Sequence, residues 1–148
     1  MKDRYFFDTN IIAYAFDRSD RAKWEVCRGL VREGFQGGSG CSVSSQVLAE
    51  LFVVLTAKVG KPVPPKKAST IVRSFIDSPS WTKLNYDHRT VSRAVADSGS
   101  TPAHFWDLLI AETMRDAGVK RIYTENVKDF EGVSWVEPVN PLRPRPAR

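Results

Sequence analysis

Three acids in this chain stand where apolar sequence gives way to polar sequence: Asp8, Glu50 and Asp107. Asp8 closes the short run Tyr5-Phe6-Phe7 and is followed by Thr9-Asn10. Glu50 is the single acid of a segment, 46–59, that is apolar almost all round, and Asp107 sits in the first turns of a second apolar segment, 104–114. A further polar turn, Glu125-Asn126 with Asp129 close behind, follows Arg121-Ile122-Tyr123-Thr124. Carboxylates brought together repel and raise one another's pKa unless a cation sits among them. Hard oxygen donors without His or Cys suit Mg2+ or Mn2+. Such an ion polarises a phosphoryl oxygen, lowers the pKa of water and steadies the leaving oxygen of an in-line displacement. That chemistry needs no side-chain nucleophile, and the chain offers neither a Gly-x-Ser-x-Gly motif nor a Cys–His pairing of note.

Whether the acids meet depends on the elements that carry them. The opening aromatic run is too short for a helix and reads as a buried strand that empties onto a polar turn and then a helical turn at Ile11-Ile12-Ala13. Ser19 or Asp20 caps a helix through Trp24, Cys27, Leu30 and Val31, ended by Gly34 and the loop Gly37-Gly38-Ser39-Gly40. No Gly-Lys-Ser/Thr follows those glycines and no strand precedes them, which argues against a phosphate loop. Cys41-Ser42-Val43 reads as a second strand, and Ser44 or Ser45 as the N-cap of the helix 46–59. Pro65 opens a helix with the stripe Ala68, Ile71, Val72, Phe75, Ile76, which Ser78-Pro79-Ser80 stops. A third strand is expected at 82–86, then a helix capped by Asp87 and closed near Gly99. Thr101 or Pro102 starts the helix that carries Asp107, with Gly118 as its stop. A fourth strand is expected at 121–124 and a last one at 134–137. This alternation predicts an α/β fold with a mostly parallel sheet, in one domain over 1–137. The Pro- and Arg-rich tail, 138–148, is expected to be extended or disordered.

In a right-handed parallel sheet, strand C-termini and the N-termini of the following helices crowd onto one edge. Asp8, Glu50 and the 125–129 turn therefore share that edge. Asp107 precedes its strand by a whole helix, so the same rule does not place it. Bland readings stand beside these. Glu50 can belong to an exposed stripe with Gln46 and Lys58, and His104 can pair with Asp107 or simply face solvent. Lys66, Lys67 and Arg73 form either a solvated face or part of a nucleic-acid surface.

The 148 residues, 42% hydrophobic and 26% charged, fit one ordinary globular domain with a proper core. No apolar run approaches the roughly 20 residues of a membrane helix, and the first residues have no leader pattern, so the cytoplasm is the expected location. Cys27 and Cys41 are too few for a disulfide framework and read as two buried thiols. A net charge of +5 is compatible with a polyanionic partner. A basic chain that spends carboxylates in one place suits the handling of phosphodiesters through a metal.

Four stretches together carry a family resemblance. They are Phe6-Phe7-Asp8-Thr9-Asn10-Ile11-Ile12, Ser45-Gln46-Val47-Leu48-Ala49-Glu50, Phe105-Trp106-Asp107-Leu108-Leu109-Ile110-Ala111 and Tyr123-Thr124-Glu125-Asn126-Val127-Lys128-Asp129-Phe130. In this order, from 5 to about 136, they resemble the four motifs of the PIN-domain family, and within it most closely the VapC-type toxin ribonucleases of prokaryotic toxin–antitoxin pairs. The resemblance implies a three-layer α/β/α fold with about five strands and Mg2+- or Mn2+-dependent cleavage of RNA. It also implies a homodimer and a small antitoxin that blocks the site. Asp8, Glu50 and Asp107 match the family's acidic ligands, and the family's helix arrangement brings Asp107 to the shared edge. Thr9 and Asn10 match the polar pair after the first acid, given an orienting role, and Thr124 matches the hydroxyl residue at the end of the fourth strand. The departure is Asn126, where the family often has Asp. Glu125 and Asp129 are neighbours able to substitute, and one tight metal site with a second assisted by substrate is the expectation.

The leading reading is a metal-dependent endoribonuclease, the toxin of a type II toxin–antitoxin pair. A haloacid-dehalogenase-like phosphatase also ends its first strand on Asp but wants a second Asp two residues later, where Asn10 stands. The non-enzymatic alternative is a PIN-like module kept for binding RNA or protein.

Overall fold

A computed structural model describes residues 4–37 and 40–143. The opening aromatic run forms β1 (Arg4–Phe7), and Asp8 caps the short α1 (Thr9–Tyr14) that follows. Asp20 accepts from the Lys23 N–H and starts α2 (Arg21–Gln36). Then come β2 (Gly40–Ser44), α3 (Ser45–Ala57) with Ser44 as N-cap, and α4 (Pro65–Asp77) with proline at its first position. Next are β3 (Trp81–Leu84), α5 (His88–Asp97) behind a capping box of Asp87 and Thr90, and α6 (Phe105–Asp116). β4 (Arg121–Tyr123), a 3-10 turn (Val127–Phe130) and β5 (Glu137–Val139) complete the chain order.

The five strands make one sheet in the order β3-β2-β1-β4-β5, every pair parallel. Helices flank it in an α/β/α sandwich: α1 to α4 pack among themselves, and α5 packs on α6. The chain steps outward from β1 to β3, then returns to the other side of β1 at β4. That reversal puts a crevice beyond the C-termini of β1 and β4, where ligands bind in open α/β sheets. The strand before it is a solid floor, with Phe6 and Phe7 fully buried. Phe7, Phe75 and Phe35 each pack on Trp81, at ring-centroid distances of 4.9, 4.9 and 5.7 Å. Cys27 and Cys41 are both buried, as expected.

Several boundaries differ from the sequence expectation, each for a physical reason. α2 runs through Gly34 and ends at Gly37, whose φ of 75° suits a left-handed cap. Gly34 is a packing residue, because a Cβ there would lie 2.3 Å from the Trp81 ring. Residues 38–39 of the glycine loop lie outside the described residues. β3 occupies Trp81–Leu84 instead of 82–86, since its partner β2 ends at Ser44, opposite Leu84, and offers nothing further to pair with. α6 begins at Phe105 rather than at 101 or 102, because Thr101 turns the chain locally by accepting from the Ala103 N–H. β5 is Glu137–Val139, not 134–137: Val133 and Val136 are buried in turns before it. The sheet thus reaches into the segment assigned to the tail, and Pro138 is tolerated because β5 is an edge. Residues 144–148 of the tail lie outside the described residues.

Candidate active site

Asp8 leaves β1 at the crevice and is buried. Its Oδ1 accepts from the Thr9 backbone N–H at 2.8 Å. Its Oδ2 accepts from the Thr124 hydroxyl at 2.8 Å, across the switch between β1 and β4, and from the Asn10 amide at 3.4 Å. Burial pushes the carboxyl above its ordinary pKa; Thr124 and the Thr9 N–H pull it down, while Glu50 and Asp129 push it up again.

Glu50 comes in from α3, and both of its oxygens are held. Oε2 accepts from the Thr9 hydroxyl at 2.9 Å and Oε1 from the Gln46 amide at 3.0 Å. Thr9 therefore joins the two acids, its N–H on Asp8 and its hydroxyl on Glu50. The exposed-stripe reading of Glu50 fails for this reason, and Gln46 belongs to the site with it.

Asp107 comes from the first turn of α6, the element that the sheet rule alone left unplaced. Among the described residues its carboxylate has no hydrogen-bond partner. Burial first, then the charges of Asp8, Asp129 and Glu50, push it up to about 6, against a smaller opposite pull from His104. The charges of Asp8, Asp129 and Glu50 thus act on Asp107. His104 itself is exposed and serves as the N-cap residue of α6.

The turn after β4 divides the fourth-acid candidates. Glu125 is engaged elsewhere: Tyr14 donates to its Oε1 at 2.7 Å and Lys23 to its Oε2 at 2.8 Å. Burial raises its pKa, yet those two donors outweigh it and hold the carboxyl below the usual range. Asn126 contributes its backbone N–H to the Thr124 hydroxyl at 3.1 Å. Asp129, in the 3-10 turn, is the acid whose charge reaches both Asp8 and Asp107. Asn10 ties the turn to the site, accepting from the Glu125 N–H at 3.2 Å while donating to Asp8. That use of Asn10 leaves no second acid for a dehalogenase-type phosphatase. The sequence reading missed Tyr14, Lys23 and the donor role of Gln46. The (i, i+4) spacing of Gln46 and Glu50 was the signal that could have found the last of these.

Among the described residues no three His, Cys, Asp or Glu side chains converge tightly enough to form a ready-made metal cage. The donor set nevertheless fits a hard divalent cation. It is all carboxylate, two members are kept above their ordinary pKa by burial, and one has no hydrogen-bond partner among the described residues. Hydroxyls and amides hold the others from the side, as groups behind a metal site do.

A parallel α/β sandwich with acids at its topological switch belongs to the open-sheet class that binds ligands beyond its strand C-termini. Residues 5–135 match the model of the PIN domain, and the chain belongs to that family. The fold is similar to that of VapC20 from Mycobacterium tuberculosis, described as a sarcin-ricin-loop-cleaving toxin, at 17% identity and a TM-score of 0.66, covering 90% of this chain and 97% of that one. It is also similar to DNA-bound VapBC from Salmonella typhimurium, at 20% identity and a TM-score of 0.63, covering 93% and 97%. FitAcB from Neisseria gonorrhoeae gives 18% identity and a TM-score of 0.62 over the same shares. No curated protein matches the chain by sequence. At such identities the likeness is one of fold.

Proposed function

We propose that this chain is a Mg2+- or Mn2+-dependent endoribonuclease that hydrolyses RNA phosphodiester bonds, and the toxin of a type II toxin–antitoxin pair. What supports the reading is that the charges of Asp8, Asp129 and Glu50 act on Asp107, whose carboxyl has no hydrogen-bond partner among the described residues and is pushed up to about 6. These three would hold the ion, with Asp129 beside them. When bound, such an ion would supply Lewis acidity toward a phosphoryl oxygen and toward the attacking water. Thr124 and Asn10 hold the Asp8 carboxylate and Thr9 the Glu50 carboxylate in place. A carboxylate of the cluster accepts the proton of the water, and basic side chains hold the RNA phosphates. Membership of the PIN domain family supports the nuclease class, and the toxin–antitoxin neighbours support the pair.

A cleft of about 1010 Å³ that Asp8, Glu50 and Asp107 do not line offers the small antitoxin a second surface, besides the acids it would block. Phe16, Phe35, Arg28, Arg32, Lys61 and Lys67 are among its lining residues, so it offers apolar surface beside exposed cations to an apolar, acidic segment. Homodimerisation belongs to the same reading; Phe52, Val53 and Trp106 are exposed apolar surface for it. No helix among the described residues is long and apolar enough to cross a membrane. A toxin that cuts cellular RNA would act in the cytoplasm.

The test is cleavage of RNA by purified protein with Mg2+ or Mn2+ but not with EDTA, abolished in a folded Asp8→Asn variant. Equal cutting by both proteins sinks the reading. The alternative is a silent RNA- or protein-binding module, and the intact acids at 8, 50 and 107 argue against it. Calorimetric titration separates the two, since such a module has no reason to take up Mg2+ at these acids.

A further inference from the structure

Gln46 makes contacts that neither helix packing nor solubility accounts for. It lies in the first turn of α3, one turn before Glu50 and on the same face. Its Nε2 donates to Glu50 Oε1 at 3.0 Å and to the backbone carbonyl of Trp106 at 3.3 Å. Trp106 precedes Asp107 in the first turn of α6. One carboxamide thus links the helix that carries Glu50 to the helix that carries Asp107.

The orientation of the amide is forced. Both groups on that side, a carboxylate and a carbonyl, only accept. A flipped amide would set an oxygen against two oxygens, so the nitrogen must face them. The cost falls at the other end: Gln46 Oε1 is buried and has no hydrogen-bond partner among the described residues. A buried unpaired acceptor is unfavourable, so the side chain is poorly suited to serve stability alone. What it provides is the pair of N–H bonds.

Those bonds act on the two acids that differ most. Glu50 is held from both sides, by Gln46 and by Thr9. Asp107 has no partner on its carboxylate among the described residues, so its position depends on where the α6 N-terminus is held. α3 and α6 lie in different parts of the chain order, and Gln46 is a direct side-chain tether between their first turns.

We propose that Gln46 is a positioning residue that sets the spacing of the Glu50 and Asp107 carboxylates and, through it, the affinity of the site for a divalent cation. The inference rests on the reading of these acids as metal-holding. Groups of this kind behind metal ligands change affinity about ten- to a hundredfold when removed. Gln46→Met keeps the length of the side chain and removes both donors together with the unpaired oxygen.

The experiment uses the full chain, with Mn2+ and Mg2+ titrated calorimetrically into metal-free protein and amide exchange followed over the first turn of α6. In Gln46→Met the Kd for Mn2+ should rise about tenfold or more. The α6 first-turn amides should exchange faster, and the thermal midpoint in EDTA should be unchanged or higher. The Mg2+ concentration for half-maximal cleavage should rise by the same factor as the Kd, a shift that a merely structural role does not give. Gln46→Ala carries the same readouts should the Met variant fold poorly. Wild-type Kd and wild-type exchange in either folded variant overturn the inference while leaving the proposed function standing, provided Asp8→Asn abolishes binding. A wild-type protein that takes up neither ion overturns both.

Discussion

Replacing Asp107 by Asn should stabilise the metal-free protein and remove its response to Mg2+. The wild-type carboxyl is pushed up to about 6 from an ordinary value of 3.8, by burial and then by Asp8, Asp129 and Glu50. An acid whose pKa is higher in the fold than in the unfolded chain binds protons more tightly when folded. Its contribution to stability is fully favourable below the unfolded value, falls as pH rises through the 4–6 window, and remains unfavourable above it. A gap of about two pH units corresponds to roughly 3 kcal/mol. Asp107 is only half-buried, and solvent screening reduces that ceiling to about 1–2 kcal/mol.

The Asn variant is isosteric and carries no charge. At pH 7.5 in EDTA it should therefore unfold about 3–6 °C above wild type, and the difference should vanish near pH 4. Adding Mg2+ reverses the order of benefit. The wild type rises, because an ion that binds the folded state stabilises it by mass action, while the variant gains little. Differential scanning calorimetry from pH 4 to 8, with EDTA or with MgCl2, measures all of this. The variant-minus-wild-type difference cancels the titrating groups that do not interact with Asp107. A variant that is less stable than wild type at pH 7.5 in EDTA, or that gains as much from Mg2+, refutes the reasoning.

Other outcomes follow from the same contacts. Thr124→Val removes the hydroxyl that Asp8 accepts and should cost about 1–3 kcal/mol in urea unfolding; an unchanged midpoint would show that this bond is not formed. Asp129→Asn should weaken Mn2+ binding in calorimetry, while Glu125→Gln should leave it unchanged, because Glu125 is taken by Lys23 and Tyr14. The reverse pattern would move the fourth acid to Glu125. Gly34→Ala gains helix propensity but drives a methyl into Trp81, and should lower stability by about 1–3 kcal/mol on thermal melting. Val53→Lys adds a charge to exposed apolar surface and should turn a dimer into a monomer by light scattering; a wild type that is already monomeric excludes this surface as a dimer contact.

The alternation of elements was legible because each boundary had a local cause. Asp20, Ser44 and Asp87 each cap the helix expected of them, through a side-chain oxygen and the backbone N–H groups just after it. Boundaries went astray where the cause was distant. Gly34 reads as a helix stop until Trp81, far along the chain, is seen to need the space. Asn85 and Tyr86 read as strand until β2 proves to end at Ser44. The last strand was misplaced because Val133 and Val136 look like strand residues but are buried in turns, while Pro138 looks like a breaker and lies on an edge.

The acids show the same division more sharply. Their identity and shared edge could be read from types and spacing, except for Asp107, which only the family resemblance placed. Their differences could not be read. Asp8 is held by Thr9, Asn10 and Thr124; Glu50 by Thr9 and Gln46; Asp107 by no donor among the described residues. Every holder except Gln46 stands within two residues of Asp8 or at the end of a neighbouring strand. A hydroxyl or amide at such a position has many local partners to choose from, and only the register of β1 against β4 decides that Thr124 turns to Asp8. The same register gives the site its asymmetry. Asp8 is fixed by the scaffold at a cost in burial and Glu50 by two donors, while Asp107, with no hydrogen-bond partner on its carboxylate among the described residues, is left repelled by the acids around it; under the proposed function a divalent cation would relieve most repulsion there.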